Sequence, residues 1–74
     1  MKTKNYINPA VVEGTMKLLV KYRAANPKSN TPMADACADV PMDERKRFVR
    51  AAQRLRWNVV RSNGHVYENG VMVW

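Results

Sequence analysis

Seventy-four residues are enough for one small domain, and a chain of this length buries only about 60% of the surface its unfolded state exposes, so any core is thin. With 46% hydrophobic and 26% charged residues, three Gly and four Pro, the composition is that of a globular chain and excludes a disordered one; thirteen Lys/Arg against six Asp/Glu give +7, a charge suited to polyanion partners. The single Cys37 excludes an intramolecular disulfide and a cysteine metal cluster, and no apolar run approaches the roughly 18 residues of a membrane span.

Residues 1–7 read as a flexible N-terminus, without the hydrophobic centre of a signal peptide between Met1 and Tyr6. Asn8-Pro9 then offers an N-cap followed by proline at the first helical position, and Val12, Met16 and Leu19, with Leu18 and Tyr22 beside them, recur at helical spacing. The spacing predicts a first helix over Pro9 to Ala25. Lys17, Lys21 and Arg23 in its C-terminal half complement the negative end of the helix dipole and read as a solvated face. Thr31-Pro32 repeats the cap-and-proline signal. Met33, Ala36, Cys37 and Val40 predict a second helix of about eight residues, ended by Pro41, with Cys37 in the core and Asp35 and Asp39 toward solvent.

A third helix is expected from Met42 or Asp43 to Arg56, with Asp43 and Glu44 in its first turn. On a helical wheel Phe48, Ala51, Ala52 and Leu55 form the core stripe, Lys46, Arg50, Gln53 and Arg54 lie opposite, and Arg47 falls at one margin. The stretch Asp43 to Arg61 holds seven Arg/Lys and two acids, so 7 − 2 = +5 of the net +7 lies there. From Trp57 onward the period shortens to two, and Asn63-Gly64 and Asn69-Gly70 both signal type I′ turns. Two layouts fit: three short strands, Trp57 to Ser62, His65 to Glu68 and Val71 to Trp74, or one hairpin with Ser62 to Gly70 at its tip. Trp57, Val59, Val71 and Val73 are the candidates for the face packed on the helices.

Three helices, a short turn between the second and third, a basic third helix and a closing hairpin make an α+β order. TPMADACADV, PMDERKRFVRAAQRLRW and NVVRSNGHVYENGVMVW stand in sequence as first turn-motif helix, recognition helix and wing (57–74), and the chain resembles the winged helix-turn-helix DNA-binding superfamily along nearly its whole length. Where many such domains carry Gly between recognition helix and wing, this chain has Trp57-Asn58, and Asn tolerates the left-handed conformation. The resemblance implies a single domain over 1–74 acting as a small stand-alone transcriptional regulator of bacterial or phage type. It also implies cytoplasmic, nucleoid-associated localisation, in the host cytoplasm if the source is viral.

That resemblance places the third helix in the major groove of double-stranded DNA and the hairpin over the flanking backbone. Arg50 and Gln53 are then the candidates for base edges, Lys46, Arg47 and Arg54 for flanking base or phosphate contacts, and Arg61, Asn63 and His65 for the wing. The Thr31 hydroxyl, with open amides at the start of the second helix, is a further phosphate candidate. One module contacts few base pairs, so a homodimer or a protein co-regulator is expected. The alternative is a protein-interaction module whose basic face binds an acidic partner. No cofactor, metal or membrane partner is expected, and neither is catalysis: one His, one Cys and no nucleophile-base spacing argue against an enzyme.

Overall fold

A computed structural model describes residues 7–74. The order is α1 (Pro9–Ala25), α2 (Pro32–Ala36), a single 3₁₀ turn (Met42–Glu44), α3 (Lys46–Arg54), β1 (Val59–Ser62), β2 (His65–Glu68) and β3 (Val71–Met72). Of the segment expected to be flexible, residues 1–6 lie outside the described residues; Ile7 is half-buried and packs against the core.

The signals at the start of α1 act as expected: the Ala10 amide donates to Asn8 Oδ1 at 2.8 Å, and Pro9 occupies the first helical position. At the other end the Asn26 amide closes on the carbonyls of Tyr22 and Arg23 before Pro27 forbids another turn. The buried stripe is Val12, Thr15 and Leu19, with Met16 half-buried. Leu18, expected beside the stripe, is 47% exposed. Thr15 takes an inward position because its hydroxyl donates to the Val11 carbonyl at 2.9 Å, so no polar atom is stranded.

α2 is shorter than the eight residues expected. Pro41 lacks the amide that would bond the Cys37 carbonyl, and it biases Val40 away from helical geometry. After Ala36 the chain therefore passes through a turn, and Arg45 takes two of its carbonyls, Nε donating to Val40 O at 2.9 Å and Nη2 to Ala38 O at 3.1 Å. The start of the third helix is also corrected. Asp43 and Glu44 fall in the 3₁₀ turn, closed by the Glu44 amide on Pro41 O and the Arg45 amide on Met42 O, and α3 proper begins at Lys46.

α3 ends in a Schellman motif: the Trp57 amide reaches Ala52 O and the Arg56 amide reaches Gln53 O, both at 3.0 Å, with Arg56 at φ 66°. The left-handed residue at this junction is thus Arg56, not Asn58. Phe48, Ala51 and Ala52 are buried as the wheel predicts, Val49 joins them, and Leu55 is half-buried. The two alanines, both fully buried, allow α3 a close approach to its neighbours, α1 above all.

The sheet is an antiparallel meander in the order β1-β2-β3. Both connections carry positive φ at Asn and Gly, 53° and 81° at Asn63-Gly64 and 52° and 82° at Asn69-Gly70, as type I′ turns require. The three-strand layout is the one adopted. Its helix-facing side differs from the expected set: Val59 and Val66 are buried, Trp57 and Val73 are half-buried, and Val71 is 46% exposed. Val71 shares a face with its register partner Glu68, but it lies on the short edge strand and stays open, whereas Glu68 is buried at 1% exposure. Three helices followed by a three-stranded antiparallel sheet match the winged-helix layout.

Candidate nucleic-acid interface

α3 supplies the charge. Lys46, Arg47, Arg50 and Arg54 lie on it with no acid inside its bounds, and Lys46 and Arg47 stand at its N-terminus, where the backbone dipole adds positive potential. Because helical residues at i, i+4 and i+7 share a face, Lys46, Arg50 and Gln53 come to one side, separate from Arg47.

Arg61 joins that side from β1. Its register partner is Val66, a buried residue, so strand alternation directs both toward α3. The result is a polar recess of about 180 Å³ between α3 and β1, lined by Ile7, Lys46, Val49, Arg50, Gln53 and Arg61. A neighbouring recess of similar size runs from Lys46 and Arg61 to Arg45, Gly64 and Trp74. Arg61 was expected to act with the wing; it sits at the seam between wing and helix.

The remaining candidates are more constrained than sequence alone suggested. The Gln53 Nε2 donates to Val59 O at 3.2 Å, so its amide joins helix to strand and keeps only part of its hydrogen-bonding capacity for an adenine edge. Arg47 pairs with Glu44 at 3.3 Å and lies over the Phe48 ring at 5.3 Å. Lys46 already has a partner within the chain. Arg54 is exposed on the outer turn of α3. Asn63 is a turn residue first. His65 Nδ1 donates to Trp74 O at 3.1 Å, which ties the wing tip to the chain's last residue.

Thr31 is not part of this cluster. The loop that holds it meets the opposite end of β2, where Asn69 Nδ2 donates to Asn30 O at 2.7 Å, about 13 Å along the chain from His65. The amides expected to be open are taken: the Met33 amide donates to Glu68 Oε2 at 2.8 Å and the Ala34 amide to Oε1 at 3.1 Å. The Thr31 hydroxyl itself donates to Asp35 Oδ1. A carboxylate from β2 therefore fills the place in which a phosphate would sit.

Three structural roles went unread in the sequence: Glu68 as the cap of α2, Arg45 as the clamp of the α2–α3 turn, and Val49 and Ile7 as the apolar wall of the recess. Arg45 also lies over the Trp74 ring at 5.4 Å. The signal for Glu68 was present, since it stands two residues from Val66 and alternation puts both on one face. Burial pushes the Glu68 carboxyl above the ordinary glutamate range against the opposing pull of the Met33 and Ala34 amides. Burial likewise pushes the Cys37 thiol up to about 11, with nearby Arg45 opposing it, so the thiol is protonated at neutral pH and is a core group, not a nucleophile.

Among the described residues, no helix is long and apolar enough to cross a membrane. No family model, curated protein or solved structure matches the chain, so the interface is read from its own geometry.

Proposed function

We propose that the protein binds double-stranded DNA as a small transcriptional regulator, with α3 in the major groove and the β1–β3 meander over the flanking backbone. The observation that carries this reading is the convergence of Lys46, Arg50 and Gln53 from α3 with Arg61 from β1 on one polar recess. Cations gathered from a helix face and a strand form a surface, where a solvated helix alone would form a stripe. Phosphate neutralisation by such a surface supplies sequence-independent affinity, and side chains on the exposed ridge of α3 supply readout. Nucleoid-associated localisation and pairing with a second copy or a co-regulator belong to the same proposal.

Selection from random duplex DNA tests it. An enriched motif, whose symmetry reports the oligomeric state, is the expected result; no retention of any duplex at low salt contradicts the proposal.

A second reading, docking to an acidic protein, draws on a different observation. Met16, Val20 and Leu55 floor an apolar groove of about 420 Å³ between α1 and the end of α3, with Lys17, Lys21 and one acid, Glu13, also lining it. Duplex binding does not use that groove. Val20→Asp should leave duplex affinity unchanged and abolish binding of an acidic amphipathic peptide if this second reading holds.

A further inference from the structure

We infer that the recess between α3 and β1 is a clamp for one phosphodiester group of the duplex, closed by Arg50 from the helix and Arg61 from the strand. This rests on the duplex-binding reading and assigns a different duty within it: Arg50 sets position along the backbone instead of reading a base.

Shape argues for this first. Base edges lie on the floor of a groove and are reached by side chains that protrude, whereas the phosphates are the protruding anionic groups of the duplex and fit a recess. Arg50 and Arg61 line a recess with Val49, 5% exposed, as part of its wall. An apolar wall lowers the local dielectric and strengthens the attraction between guanidinium and phosphate.

Chemistry argues for it next. Two guanidinium groups from separate elements can each offer a planar fork to one tetrahedral oxyanion. Among the described residues, neither Arg50 nor Arg61 has a hydrogen-bond or ion-pair partner, in contrast to Arg45 and Arg47. The bond from Gln53 to Val59 O holds β1 beside α3 and so fixes the separation of the two walls. Gln53 is a positioning residue here.

The test uses the full chain, a panel of duplexes of differing sequence, and the variants Arg50→Ala, Arg61→Ala and both together. Each single variant should weaken binding of every duplex by a similar factor, roughly three- to tenfold, and leave the ranking of duplexes unchanged, while removing both should reduce the salt slope by about 1, the share of one phosphate. Because both side chains hold the same phosphate, the double variant should lose less than the product of the two single losses. Inorganic phosphate, followed by NMR, should shift the amides around residues 50, 53 and 61 in the wild type and not in Arg61→Ala. Both side chains are exposed, so thermal melts should match the wild type and exclude misfolding.

A reordered duplex ranking in Arg61→Ala, fully multiplicative losses, or phosphate shifts spread evenly over all basic residues would overturn the clamp while leaving duplex binding intact. Wild-type protein that binds no duplex overturns both.

Discussion

Glu68 and Met33, thirty-five residues apart in the chain, are joined by a buried hydrogen bond of 2.8 Å from the Met33 amide to the Glu68 carboxylate. With the Ala34 amide on the second oxygen, one side chain of the wing caps α2, a service that local Ser, Thr, Asp or Asn residues usually perform. Thr31 occupies the conventional cap position but makes no such bond, because its hydroxyl is turned to Asp35. The sheet and the helices are thereby coupled through a polar contact as well as through the core.

Removing that contact should be costly. Glu68→Ala strands two amides, each worth about 1–3 kcal/mol when buried without a partner, so a loss of about 3 kcal/mol is expected in urea unfolding. Glu68→Gln keeps one acceptor oxygen and should lose less. The pH dependence has a defined sign. The native carboxyl holds its proton to a higher pH than the unfolded one, so Glu68's contribution to stability falls as pH rises from the ordinary glutamate value through the raised native value. The stability difference between wild type and Glu68→Gln should shrink across that window and level off above it.

Two backbone positions hold residues that the local geometry does not favour. Arg56 sits at φ 66°, where Gly is the usual residue, and Gly14 sits in mid-helix with nothing within 4 Å of the place a Cβ would occupy. Arg56→Gly and Gly14→Ala should each stabilise the fold by about 0.5–1 kcal/mol, the first by relieving left-handed strain and the second through helix propensity. Thermal melts of the single and double variants check this, and additive gains are expected because the sites share no partner.

Basic residues of the charged segment should separate by assay. Arg45 bonds two carbonyls of the α2–α3 turn, so Arg45→Ala should cost about 1–3 kcal/mol of stability. Duplex affinity per folded molecule should fall little. Arg54→Ala should do the reverse, leaving the melt unchanged and weakening duplex binding. Chemical denaturation and anisotropy titration on the same preparations decide between these outcomes.

Cys37 should resist thiol reagents at pH 8 in the native protein, since it is fully buried and its thiol titrates near 11. Labelling should appear only as the fold opens, and its rate should rise in step with unfolding in urea. Prompt labelling of the native protein would show that the core around Met33 and Phe48 opens locally.

The features legible in the sequence were those decided by neighbours in the chain. Asn8-Pro9 opened α1, and the two Asn-Gly pairs marked type I′ turns that allowed the meander, because caps and such turns depend on a few adjacent residues. What stayed hidden was decided across the fold. α2 ends early where Arg45 takes the carbonyls of Ala38 and Val40, Glu68 is buried because the amides of α2 need an acceptor, and Val71, on the same face, stays open on the two-residue edge strand. Among the candidate site residues, the α3 face could be drawn on a wheel. The position of Arg61 beside Arg50 depended on strand register, and the commitment of Gln53 to Val59 on a contact between elements.

Salt dependence of duplex binding tests the central claim most directly. If α3 and Arg61 neutralise about four phosphates, Arg50 and Arg61 sharing one, log K against log salt should fall with a slope near −4, and removing Arg54 and Arg61 together should flatten it by at least about 1. Absence of duplex binding at low salt, or a slope unchanged by both substitutions, would contradict the account.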